Sequence, residues 1–177
     1  MKDTIVFSKT VSVPYLQTHK FPNSLCVLGD LRENCPVSFE IFGDLYVTGE
    51  ISLYSIHVHG NIFCGALNVC YCTCDGDIHI DSYSSAAEVV CMGNFSAESV
   101  CAVDCLTVYE SVSLYNYKGN TIRAVDDINC HSLTFSQSLI AGGNVNCADE
   151  ILPSSDDFEI FVKGNLMSKN IRIGGIV

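Results

Sequence analysis

Residues 43–80 read GDLYVTGEISLYSIHVHGNIFCGALNVCYCTCDGDIHI, and one pattern stands in them three times: Gly43-Asp44-Leu45-Tyr46-Val47, Gly60-Asn61-Ile62-Phe63-Cys64 and Gly76-Asp77-Ile78-His79-Ile80. Each copy is a Gly and a small polar residue followed by two apolar residues that flank a third position. Successive side chains of a strand point to opposite faces, so alternation at period two marks a half-buried strand. The Gly-Asp/Asn pair recurs at Gly29-Asp30, Gly93-Asn94, Gly143-Asn144 and Gly164-Asn165. Steps of 16 or 17 residues dominate, and the gap of 50 between Gly93 and Gly143 divides into 17, 16 and 17 if Glu110-Ser111 and Asp126-Asp127 fill the turn slot. Gly119-Asn120 then falls out of register.

The positions around the slot test this division. Four and two residues before it come Leu25/Val27, Phe39/Ile41, Ile56/Val58, Cys72/Cys74, Val89/Cys91, Leu106/Val108, Ile122/Ala124, Leu139/Ala141 and Ile160/Val162. All are apolar or small, including those at the two slots that lack Gly. A second set of pairs follows the slot, from Leu45/Val47 to Leu166/Ser168, and a third comes less regularly, as at Ile51/Leu53, Leu67/Val69 and Leu133/Phe135. Three short strands in so few residues leave no room for hairpins. Stacking the coils in parallel satisfies the backbone and buries all three inward rows together. The expected fold is therefore all-β: a single-stranded parallel β-helix (β-solenoid) with three short strands per ~17-residue coil. At roughly 4.8 Å per coil, 8–9 coils make a rod about 40 Å long. The slot Gly suits a corner at positive φ, and its Asp or Asn suits a bond to its own backbone. Residues 1–24, interrupted by Pro14 and Pro22, are expected to form an irregular N-terminal cap, and 25–177 the β-solenoid. Pro153-Ser154-Ser155-Asp156-Asp157 should bulge out as a loop.

Composition narrows the function classes. A net charge of −11, with nine Lys and Arg, argues against a nucleic-acid partner, because phosphate binding relies on cationic side chains. No apolar run is long enough for a membrane span. The N-terminus, Met1-Lys2-Asp3-Thr4-Ile5-Val6-Phe7, does not read as a secretory signal, and the expected location is cytoplasmic. Eleven cysteines, an odd count, then read as reduced thiols. Cys64, Cys72, Cys74, Cys91, Cys130 and Cys147 fall on inward rows, where a thiol acts as a small hydrophobe.

Candidate chemistry is sparse. His57 and His59 alternate on one strand and face outward, as does His79 on another side; solvated surface imidazoles are the expectation. Asp126-Asp127 could suggest a carboxylate pair of the glycosidase kind, but the two sit in a turn slot and adjacent residues point apart. No phosphate loop or nucleophile elbow is visible. No catalytic residue, metal or cofactor is expected. The informative feature is the outward positions before the slot, which should be polar on a monomer. They hold Val90, Met92, Tyr109, Val125, Ile140 and Phe161, a column of apolar residues of the kind that marks an interaction surface unless a neighbouring segment covers it. The C-terminus adds Ile171, Ile173, Ile176 and Val177, and an open solenoid end templates further pairing.

The short coils with Gly-Asp or Gly-Asn corners, as in 43–47, 60–64 and 76–80, resemble those of the bactofilins, polymer-forming bacterial cytoskeletal proteins. The resemblance covers roughly residues 25–175 and implies a structural, self-assembling scaffold that pairs with itself through its ends or its apolar face. A solenoid adaptor that docks another protein is the alternative. An acyltransferase of the hexapeptide type or a polysaccharide-active solenoid comes third, since the six-residue spacing of the former fails inside each coil.

Overall fold

The computed structural model describes residues 4–13, 19–33 and 38–172. Every strand among them joins one parallel sheet wound into a β-solenoid of about nine coils, with no helix. The middle of the stack consists of strands Leu45–Val58, Ile62–Cys74, Ile78–Cys91, Phe95–Val108 and Val112–Ala124. A straight strand of that length would run roughly 45 Å. These bend instead where their pairing shifts register, as between Val47 and Glu50 and between Cys64 and Leu67. Each strand thereby lines more than one side of its coil.

The pairing follows the repeat read from the sequence. Leu45, Ile62, Ile78, Phe95, Val112, Ile128, Val145 and Leu166 stand opposite one another in that order. The slots at Glu110-Ser111 and Asp126-Asp127 lie in line with the rest, and Gly119 sits within a strand, opposite Val103 and Phe135. The inward rows form one continuous core from Leu25 to Ile151. Each large apolar side chain buried there stabilises the fold by roughly 1.5–3 kcal/mol relative to an exposed one. Ile160, Val162, Leu166 and Ser168 are only half buried, because no described strand stacks beyond them.

The corner works differently from expectation. Among the described glycines only Gly29 has positive φ, at 147°. The corner glycines Gly43, Gly60, Gly76, Gly93 and Gly143 are needed for close approach: a Cβ on Gly76 would lie 2.4 Å from Asn61 Oδ1 and 2.8 Å from the Gly60 carbonyl oxygen. Nor does the polar residue bond its own backbone. It reaches along the rod to the next coil: Asp44 Oδ1 accepts from the Asn61 N–H at 2.9 Å, Asn61 Oδ1 from Asp77 at 2.8 Å, and Asp77 Oδ1 from Asn94 at 2.7 Å. Asp127 Oδ1 does the same for Asn144 at 2.6 Å, and Asn144 Oδ1 for Asn165 at 3.0 Å. Side-chain carbonyl and carboxylate oxygens thus complete the ladder where the chain turns and backbone partners alone would leave donors unpaired.

Two boundaries move. Gly29-Asp30 does not belong to this corner. Its neighbour on the next coil is Gly49, whose N–H donates to the Gly29 carbonyl at 2.9 Å, and Asp30 Oδ1 accepts from Glu50 N–H. The equivalent of Asp44 is Ser24, whose Oγ accepts from the Asp44 N–H at 3.0 Å. Leu25 and Val27 therefore follow the slot, opposite Leu45 and Val47, rather than preceding it. The stack also starts before residue 25: Ile5–Phe7, Val11–Val13 and His19–Phe21 pair in parallel with Leu25–Val27, Leu31–Glu33 and the strand Ser38–Ile41, where an irregular cap was expected. Partners here are 20 residues apart, as in Ile5 and Leu25, so a search at 16–17 misses them. At the other end Pro153 stays in the strand Val145–Pro153, opposite Phe135, and the loop is confined to 154–157.

One core position breaks the pattern. Ser84 stands between Leu67 and Val100 on an inward row, and its hydroxyl is buried without a hydrogen-bond partner. Such a group costs about 1–3 kcal/mol. Ser84→Ala should therefore raise the melting temperature by a few degrees, read by circular dichroism, since about 1 kcal/mol moves a domain of this size by roughly 2–4 °C.

Candidate functional site

The segment that runs into the Gly-Asp corner presents two outward rows. Lys20, Glu40, His57, Thr73, Val90, Thr107, Arg123, Ile140 and Phe161 pair in that order along the rod. Beside them, Phe42, His59, Asp75, Met92, Tyr109, Val125, Gly142 and Lys163 follow one coil apart, each N–H donating to the coil before. One face thus changes character along its length, polar in the first coils and apolar in the later ones.

The later part is the column expected from the sequence. Met92, Tyr109, Val125 and Phe161 are 45–57% exposed, and Val90 and Ile140 lie half buried between them. The described N-terminal strands stack on the coil that follows them at the opposite end of the rod, so they do not cover this column. Ile171 is exposed on the last described strand. Ile173, Ile176 and Val177 lie outside the described residues. Both ends of the stack keep strand edges with no partner among the described residues.

The earlier part holds a cluster that the sequence reading treated as separate solvated histidines. His59 Nδ1 lies 2.7 Å from Asp75 Oδ2, and its Nε2 lies 3.3 Å from Glu40 Oε1. His57 Nε2 is 3.3 Å from the other oxygen of Asp75, and Lys20 Nζ is 2.5 Å from Glu40 Oε2. Phe42 stacks on His59 at 4.8 Å between ring centroids, and the two imidazoles are 4.1 Å apart. The hydrogen bond to Glu40 and then that to Asp75 raise the His59 pKa above its ordinary value. Glu40 is held low by Lys20 and His59. The signal was in the sequence: Glu40 and His57 are one coil apart, as are His59 and Asp75, so the four meet once the period is applied outward as well as inward.

Other predicted positions resolve simply. His79 is exposed, with Nδ1 2.7 Å from Ser96 Oγ. Asp127 is a rung of the corner ladder, its Oδ1 accepting from the Asn144 N–H. Outward aromatic contacts that the sequence reading did not pick out join Tyr54 to Tyr71 and Tyr115 to His131.

The six inward cysteines are all buried, and Cys70 and Cys101 are exposed. Burial pushes the thiols of Cys64, Cys74 and Cys91 up to about 12. The thiolate is the reactive form, so these groups are unreactive at neutral pH. Iodoacetamide at pH 8 followed by mass spectrometry should modify Cys70 and Cys101 in the native protein, and Cys64, Cys72, Cys74 and Cys91 only after denaturation.

No helix of the described residues is long and apolar enough to cross a membrane. Compared with known proteins, the chain matches no family model, no curated protein and no solved structure.

Proposed function

We propose that the protein is a self-assembling structural scaffold of the bactofilin type, without catalytic activity, whose rods associate with one another in the cytoplasm. The observation that carries this reading is the uncovered column of Met92, Tyr109, Val125 and Phe161 on a regular rod. A solvent-exposed row of large apolar side chains along one face favours association, because joining two such faces removes apolar surface from water. The open strand edges at the two ends support the same reading: one copy's last coil presents the ladder of unpaired groups that another's first coil requires.

The paired substitution Val125→Glu and Phe161→Glu tests it. Both side chains point outward, so the fold is retained, while charges opposed across a face-to-face contact weaken assembly by at least tenfold in concentration. Light scattering at matched concentrations reads this. Unchanged assembly in the double variant would leave the ends as the interface, and a wild-type chain that never associates would favour the adaptor reading.

A further inference from the structure

We propose that Glu40, His57 and His59 form a binding site for one divalent zinc-class ion. One donor atom from each lies within 4.8 Å of the other two. A tetrahedral zinc with ligands at roughly 2.0–2.1 Å sets its donors about 3.4 Å apart. His59 Nε2 and Glu40 Oε1 already stand at 3.3 Å. The third donor closes by rotation of the His57 ring, which is 39% exposed and exchanges its contact with Asp75 Oδ1, at 3.3 Å, for the ion.

The fold builds this arrangement. His57 lies in the strand Leu45–Val58 and His59 just past its end, two residues on, so both point outward from the same side, and the parallel register sets Glu40 directly beside His57 on the preceding coil. On the following coil, Asp75 holds His59 Nδ1 at 2.7 Å, which turns Nε2 toward Glu40. A carboxylate on the far nitrogen of a ligating imidazole fixes its ring and tautomer, so Asp75 is a positioning residue here. Phe42, stacked on the same ring, restricts it further. Lys20 occupies Oε2 of Glu40 and leaves Oε1 for the ion. Two imidazoles select zinc and its neighbours over magnesium and calcium, which take oxygen ligands. Three protein ligands leave a fourth position open to water.

The experiment is isothermal titration of zinc chloride into the full-length chain after removal of metals by a chelator, with magnesium chloride as control. One equivalent should bind with micromolar affinity, and magnesium should not bind. His57→Ala with His59→Ala should abolish the binding. Glu40→Gln and Asp75→Asn should each weaken it by about 10–100-fold with the melting temperature unchanged; these keep side-chain shape and serve if the double variant does not fold. His79→Ala, which alters a histidine elsewhere, should have no effect. Cobalt in place of zinc should give a visible spectrum without thiolate charge transfer. Absence of binding below millimolar zinc, binding that survives His57→Ala with His59→Ala, or a thiolate band in the cobalt spectrum would each overturn the site.

Discussion

Ile78→Asp should leave the chain unfolded at 25 °C, while His79→Asp, one residue along, should change the melting temperature by no more than a few degrees. Ile78 is 1% exposed, between Ile62 and Phe95 on the inward row. Losing its side chain from a packed core costs about 2–5 kcal/mol. Placing a carboxyl there without a partner adds roughly 2 kcal/mol or more whether the group ionises or stays protonated. The sum rivals the whole stability of an ordinary domain, about 5–15 kcal/mol. His79 is exposed and meets Ser96, Asp81 and the Phe63 ring at the surface. Such pairs contribute about 1 kcal/mol or less. Far-ultraviolet circular dichroism with thermal melting reads both variants. Equal behaviour of the two would mean that the inward and outward rows are misassigned.

The second large effect lies at the corner. Gly76→Val should lower stability by about 3 kcal/mol, a drop of roughly 6–12 °C in melting temperature. The added Cβ meets the backbone of Gly60 and the Asn61 side-chain oxygen. That oxygen cannot swing away freely, because it accepts the Asp77 N–H at 2.8 Å. The neighbouring coil cannot retreat either, since its strands are held at the ladder spacing on both sides. Gly65→Ala provides the contrast: its Cβ would approach the Gly49 carbonyl oxygen at 3.0 Å, a clash that a shift of a few tenths of an ångström relieves. Its cost should be clearly smaller in the same denaturant titration. Equal costs would show that the corner does not depend on close approach.

These two predictions differ in how they could be reached. The inward rows were legible because burial acts on every coil alike: Leu106/Val108 and Ile122/Ala124 located their slots with no Gly to mark them. The corner was legible as a pattern but not as a mechanism. Gly and Asp favour a turn at positive φ, and they equally favour a tight stack whose side-chain oxygen serves the next coil; the sequence looks the same for both. Gly29-Asp30 was assigned to the wrong corner for a related reason. Leu31 and Phe39 are eight residues apart where their partners Ile51 and Ile56 are five apart, and this longer coil hid the shift. Of the candidate sites, the apolar column follows directly from the repeat. The cluster around His59 needed the period applied to outward residues, where Lys20, Glu40, His57 and Asp75 look unrelated until they are set one coil apart.

Sedimentation velocity over a hundredfold range of protein concentration tests the scaffold reading most directly. Self-assembly predicts a weight-average sedimentation coefficient that rises steadily with concentration, with rods longer than one chain in negative-stain images of the same samples. A single 19.3 kDa species at every concentration would contradict it.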